Sequence, residues 1–205
     1  KNPRSRKQMA NHVENTIYLE VGNAAVQNEW QKLFVDYGKR TERPSYHGDG
    51  TISIWEYEEI QKHPFLSGYT EDNWYEWNCD NIGAKWAHLD DADEYCARIV
   101  SAWSPVAEYV EKLYHHLWLI DNTVVIRHTY EDEYRNFIGV GKWFDNEFES
   151  VNLDTEDLSD VLTNKFSNVD DEDFDWDYDE KTDCCPSEWY DDWICQWFSE
   201  AETWH

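Results

Sequence analysis

The segment from Glu94 to Leu117, EYCARIVSAWSPVAEYVEKLYHHL, predicts a strand that is followed directly by a helix. Its first ten residues alternate in the manner of a half-buried strand, with Tyr95, Ala97 and Ile99 on one side. Ser104 and Pro105 favour a helix start, because serine caps a helix and proline is tolerated at the first helical position. Apolar residues then recur at helical spacing: Val106, Val110, Leu113 and Leu117.

The sequence on both sides of this segment extends the pattern. Asn15 to Gly22 alternates like a strand, and Gly22-Asn23 opens a helix that ends near Gly38. Further predicted elements are a polar loop over 39–51, a short helix over 52–60, a strand over 73–80, and strands over 123–130 and 136–144. This order predicts an α+β, two-layer fold, in which an antiparallel or mixed sheet carries helices on one face.

The composition supports one folded domain with an appendage. The chain has 205 residues, of which 17% are aromatic, and buried rings offset the scarcity of aliphatic side chains. We expect a basic N-terminal extension over 1–12, artificial or disordered, because residues 1–8 hold four cations and precede the single methionine, Met9. The main domain is predicted over 13–148, and an acidic aromatic extension that docks on it over 149–205.

This C-terminal extension holds most of the charge. From Asp145 to His205 there are 21 of the 44 acidic residues and two lysines, which gives −19 of the net −27. The same stretch contains five tryptophans, and large aromatic residues indicate that parts of it dock rather than remain solvated. One apolar stripe of a predicted helix from Glu188, capped by Ser187, either completes the core or forms a partner-facing patch: Trp189, Tyr190, Trp193, Ile194, Trp197 and Phe198.

Several tryptophans at fixed offsets resemble the Api92-like family with a ferredoxin-like domain. The stretches that carry the resemblance are WYEWNCDNIGAKWAHLD at 74–90, SAWSP at 101–105 and FIGVGKW at 137–143. The matching positions are Trp74, Tyr75, Trp77, Asn81, Gly83, Lys85, Trp86, Trp103, Ser104 and Pro105. The resemblance implies a ferredoxin-like fold and an origin in phages or mobile elements. It implies no catalytic residues.

Two sequence patterns are candidates for metal binding. Ser45 to Glu56 resembles part of a calcium loop, with Asp49 and Glu56 at ligand positions, but Ser45 and His47 replace the first two acids. Pairs such as Asp90-Asp91 could hold magnesium, yet a chain with 44 acids produces such pairs by chance. We therefore expect no cofactor, with calcium or magnesium as the alternative.

The sequence shows no nucleophile–base set, zinc spacing or phosphate loop, so a non-enzymatic binding protein is predicted. A metal-dependent enzyme or a calcium-binding protein remains the alternative. An acidic surface repels nucleic acids and anionic membranes and attracts basic proteins, and it can mimic the phosphates that a host nucleic-acid-binding protein recognises. We expect such a partner in the cytoplasm of a host cell. The candidate partner-binding residues are Asp170, Asp171, Glu172, Asp173, Asp175, Asp177, Asp179, Glu180, Asp191 and Asp192.

Overall fold

The computed structural model describes residues 11–35, 60–166 and 185–201 in full, and the backbone alone of residues 40–46 and 52–58. The strands in chain order are β1 (His12–Val21), β2 (Arg40–Tyr46), β3 (Ile52–Glu58), β4 (Ala87–Ala92), β5 (Cys96–Ala102), β6 (Val125–Asp132), β7 (Ile138–Phe144) and β8 (Glu147–Leu153). The helices are α1 (Ala24–Trp30), which continues as a π-helical turn over Gln31–Val35, α2 (Trp74–Asn81), α3 (Ala107–Trp118), α4 (Thr155–Lys165) and α5 (Pro186–Ala201).

The strands form one antiparallel sheet in the order β2-β3-β4-β5-β1-β6-β7-β8. Strands β4 to β8 and β1 make continuous ladders, whereas β3 joins β4 only at the pair Glu58–Leu89. The α+β class predicted from the sequence is confirmed. The sheet as a whole is not a classic four-stranded ferredoxin sheet, because additional strands flank its central four.

One face of the sheet carries the main core. Odd-numbered residues of β1 such as Ile17 and Leu19 point to this face and pack with Ile99 of β5 and Ile126 of β6. Helices α1 and α3 cover them with fully buried Trp30 and with a stripe at helical spacing: Tyr109, Val110, Leu113, Tyr114 and Leu117. Asn23 starts α1 as predicted, since its side chain accepts hydrogen bonds from the backbone N–H groups of Ala25 and Val26.

The other face carries a second apolar cluster. Ile138 of β7 lies five positions from Trp143, which belongs to the main core, so the two side chains point to opposite faces. Ile138 packs with Leu158 and Leu162 of α4 and with Tyr190 and Ile194 of α5. The helices of the predicted main domain, α1 to α3, therefore share one face, as expected, and α4 and α5 of the C-terminal extension cover the opposite face.

The strand predicted over 73–80 is wrong, because Trp74–Asn81 forms α2. A strand would place Tyr75, Trp77 and Cys79 on one face, but Trp77 is buried while Tyr75 and Cys79 are exposed. The following segment, read from sequence as a loop, contains β4. Its residues Ala87 and Leu89 alternate into the core, so the pattern was present but short.

The loop over 39–51 and the helix over 52–60 are also corrected, since 40–46 and 52–58 form the hairpin β2–β3. Ile52, Ile54 and Trp55 have high β propensity, and Pro44 is tolerated because β2 is an edge strand.

The predicted acidic extension over 149–205 contains most of β8 and the whole of α4. The domain boundary predicted at 148/149 therefore falls inside β8. Helix α4 starts with a capping box: the Asp154 side chain accepts the backbone N–H of Asp157, and the Asp157 side chain accepts the backbone N–H of Asp154.

Candidate functional site

Helix α5 packs against α4 and β7 with one face and presents an acidic surface on the other. Tyr190 and Ile194 are buried against α4 and β7, and the intervening Asp191 and Asp192 are exposed. The helix also carries Glu188 and Glu200 but neither lysine nor arginine. Because the apolar residues fix the helix on the sheet, the two aspartates hold set positions on the outer surface.

Glu131 of β6 lies beneath this surface, beside α5 and Glu14 of β1. Burial, and then the negative charges of Asp191 and Glu14, raise the pKa of Glu131 to about 7, while Arg135 opposes the shift. The guanidinium of Arg135 also lies 4.6 Å from the centroid of the Tyr190 ring, and burial raises the pKa of that phenol. The site therefore combines fixed carboxylates with one carboxyl that titrates near neutral pH.

The structure brings together only part of the predicted partner surface. Asp191 and Asp192 lie on α5, whereas the predicted acids from Asp170 to Glu180 fall outside the described residues. Glu131 and Glu14 were missed from the sequence. Their only sequence signal is that each lies directly beside a predicted strand, Glu14 before 15–22 and Glu131 after 123–130. The register that places them side by side belongs to the sheet.

A cleft of about 790 Å³ lies between α2, the preceding loop and β4. Its lining combines three aromatic rings with amide, carboxylate and basic side chains. The lining residues are Gln61, Lys62, Tyr69, Thr70, Glu71, Trp74, Asn78, Trp86, Ala87 and His88. This composition, apolar walls with a few polar groups, is typical of a ligand-binding cleft.

The loop before α2 is held by hydrogen bonds, so the walls of the cleft are fixed. Trp77 donates its indole N–H to the carbonyl of Ser67 at 2.8 Å, and Asn73 donates its amide to the carbonyl of Gly68 at 3.0 Å. Gly68 has a φ of +83°, a conformation that L side chains rarely adopt. Tyr69 contacts Trp77 edge to face, with ring centroids 5.2 Å apart.

Two amide oxygens at this cleft lack hydrogen-bond donors among the described residues. Asn78 is 2% exposed; its amide N–H donates to the carbonyl of Lys85 at 3.0 Å, while its Oδ1 has no donor. Gln61 donates to the carbonyl of Ala87 over 3.5 Å, and its Oε1 also has no donor. Buried acceptors without donors are costly, and both oxygens belong to residues that line the cleft, where a ligand with N–H groups would satisfy them.

Trp86 forms the β4 side of the cleft within an aromatic stack. Its ring stacks on His88 with centroids 5.7 Å apart, and His12 meets it edge to face at 5.5 Å. Burial lowers the pKa of His88, so this imidazole is neutral at pH 7.

The family-motif residues separate into two groups. Trp74 and Trp86 line the cleft, and the backbone carbonyl of Lys85 receives the amide of Asn78. The others have structural positions: Trp77 is buried, Gly83 has a φ of +92° and lies against the carbonyl of Pro105, and Trp103 is exposed with a φ of +74°. Only the first group faces a space that a ligand can occupy.

A buried polar network sets the start of α3. Asn15 donates to the hydroxyl of Ser101 at 2.9 Å and accepts the backbone N–H of Val106 at 3.0 Å. His128 lies 3.0 Å from the same amide oxygen, and burial lowers its pKa to about 3, so it is neutral. We assign this network a structural role, because it lies inside the core rather than at a cleft.

The calcium pattern of 45–56 does not lead into a helix, since Glu56 lies on β3; Asp49 falls outside the described residues, so the metal assignment stays a prediction. Within residues 11–35, 60–166 and 185–201, no group of three or more His, Cys, Asp or Glu side chains is arranged to hold a metal.

No helix in the described part of the chain has the length and apolar character to span a bilayer. Comparisons with family models, curated proteins and solved structures find no significant match.

Proposed function

We propose that this chain is a non-enzymatic binding protein whose acidic surface binds a basic protein partner in the cytoplasm of a host cell. The partner we favour is a host nucleic-acid-binding protein, with the carboxylates of this chain occupying the place of phosphates. The Api92-like resemblance supports an origin in a phage or mobile element. The net charge of −27 excludes nucleic acid itself as a favourable partner.

The raised pKa of Glu131 is the observation that carries the proposal. The pKa of the Glu131 carboxyl is raised because burial and the charges of Asp191 and Glu14 together disfavour a further negative charge. A cationic partner would offset the repulsion from Asp191 and Glu14 and would favour the ionised form of Glu131. Binding should therefore strengthen as pH rises through 7 and should release a proton.

The docked helix adds geometric support. Asp191 and Asp192 are displayed from a helix whose opposite side is buried in the α4–α5 cluster. Carboxylates on an ordered helix lose less conformational freedom on binding than carboxylates on a flexible segment, which favours affinity. Fixed spacing is also what mimicry of a phosphate backbone requires.

We further propose that the ferredoxin-like part of the expected fold corresponds to β1, α1, β4, β5, α3 and β6. These strands lie in the order β4-β5-β1-β6, with the antiparallel neighbours expected of a βαββαβ unit. The hairpin β2–β3 and the segment from β7 to α5 are then additions. The acidic surface belongs to the later addition.

A blocked octalysine peptide tests the acidic surface. Isothermal titration should give an affinity that falls steeply between roughly 50 and 300 mM salt and rises from about pH 6 to about pH 8. The double variant Asp191→Asn/Asp192→Asn should bind several-fold more weakly. Neutralising the acids of 170–180 should weaken binding further.

The matched control is Asp90→Asn/Asp91→Asn, an adjacent acidic pair on β4 rather than on α5. If both double variants lose octalysine affinity equally, net charge alone explains binding and a defined site is contradicted. If the wild type does not bind octalysine, the proposal is rejected. Nucleic-acid mimicry has its own readout: duplex DNA or RNA should elute host proteins captured on the immobilised chain. If salt elutes the captured proteins but nucleic acid does not, the acidic surface binds a basic partner without mimicking nucleic acid.

A further inference from the structure

We infer that the cleft between α2 and β4 is a binding site for an arginine guanidinium of a partner protein. This inference rests on the proposed function, since it specifies the chemistry of the basic partner. It concerns a separate site, because the cleft lies at β4 whereas the α5 surface lies at β6 and β7. The two can therefore fail independently.

The rings of the cleft favour a cation with a flat face. Trp74, Trp86 and Tyr69 line it, and Trp74 is 41% exposed although it is a large aromatic residue. Indole faces carry negative electrostatic potential and attract cations, and a planar guanidinium stacks on such a face better than an ammonium does.

Three acceptor groups of the lining residues match a donor-rich ligand. Gln61 Oε1 and Asn78 Oδ1 have no donor within the described part of the chain, and Glu71 adds an exposed carboxylate. A guanidinium presents five N–H donors in one plane and accepts none, so it can satisfy several such oxygens at once. The 3.5 Å hydrogen bond from Gln61 to Ala87 is long, so it holds the amide weakly.

The charge around the cleft disfavours an anionic ligand. An anionic nucleotide or phosphopeptide would meet Glu71 and the field of a chain with net charge −27. His88 is neutral at pH 7 and adds no cation, which leaves Lys62, exposed at the rim, as the cation of the lining. The volume of about 790 Å³ accommodates an arginine side chain together with flanking backbone.

The probes are Nα-acetyl-L-arginine amide and its lysine and citrulline counterparts. Citrulline is the matched control, because it retains the shape of arginine but lacks the charge. Titrations followed by the indole ¹H–¹⁵N signals should show the arginine probe shifting Trp74 and Trp86, whose signals Trp74→Phe and Trp86→Phe identify. We expect the lysine and citrulline probes to bind at least about fivefold more weakly.

Gln61→Leu and Glu71→Gln should each weaken arginine binding about fivefold, and Trp103→Phe, at an exposed tryptophan outside the cleft, should leave it unchanged. An otherwise unaltered spectrum shows that each variant is folded. Equal binding of citrulline, equal binding of lysine, or shifts confined to other tryptophans would each overturn the inference. Octalysine binding that depends on Asp191 and Asp192, with no arginine binding at the cleft, would retain the proposed function and reject this site.

Discussion

Glu131 is a residue whose ionisation depends on contacts with distant parts of the chain. Its neighbours along the chain do not explain this, since Asp132 is a lesser cause than Asp191 and Glu14, which come from α5 and β1. The raised pKa has a defined sign for stability. A carboxyl with a folded-state pKa of about 7, above its unfolded value, favours folding at low pH, and that contribution is lost as pH rises from about 4.3 through 7.

Glu131→Gln should therefore stabilise the protein at about pH 8 and give no comparable gain at about pH 4, because the carboxyl is ionised in the folded state only at the higher pH. Thermal unfolding of the variant and the wild type across this range checks the prediction. Glu147→Gln, an exposed position on β8, is the control. A gain that is independent of pH would show that packing, rather than charge, is responsible.

Strand β7 shows how a single element depends on its neighbour. The GVGK sequence at 139–142 lacks phosphate-loop spacing, and the strand predicted there is confirmed. Gly139 pairs with Tyr130 of β6, and a Cβ atom at Gly139 would overlap the Tyr130 ring. Glycine is required by this close approach, not by a turn.

Gly139→Ala should destabilise the protein by about 1–3 kcal/mol, because the Tyr130 ring must leave its position. Chemical denaturation measures the loss. Combining the change with Tyr130→Ala should make the cost of the added methyl group smaller than in the wild type. Asn152→Ala, exposed and opposite Gly139 on β8, should change stability by no more than about 0.5 kcal/mol. A fully additive double variant would refute the overlap.

At the scale of the whole molecule, the sheet separates two apolar clusters. The larger one joins α1, α2 and α3 to one face, and the smaller one joins α4 and α5 to the other. Among the described residues, the sheet lies between the two clusters. Local unfolding of the smaller layer is therefore expected at a lower free energy than unfolding of the main core.

Ile194→Ala should remove roughly 2–5 kcal/mol from the smaller cluster, since this side chain is 4% exposed. Hydrogen exchange should accelerate in α4 and α5 more than in β1, β5 and β6. Cys195→Ala, at an exposed position of the same helix, serves as the control. Equal acceleration in both layers would mean that the molecule unfolds as a single unit.

The same layering explains which predictions from sequence were right. The strand over 94–103 and the helix after Pro105 were predictable because both bury one face on a large core, which produces a clear period. Helix α2 was misread because only one face of a short element is buried, and its aromatic residues Trp74, Tyr75 and Trp77 have high β propensity. At the cleft, Trp74 and Trp86 were noticed as a motif, but Gln61, Glu71 and Asn78 were not, since nothing in the sequence relates them.

The sequence by itself determined the class of the fold, the charge of the chain and the expectation that part of its aromatic residues is buried, because these follow from composition and local periodicity. Only the tertiary structure decided that helices cover both faces and that Glu131 lies beside Asp191. It also decided that Trp74 and Trp86 share a cleft with Gln61 and Asn78. Those results depend on strand register and on contacts between residues distant in the chain. Contacts of that kind leave no period in the sequence.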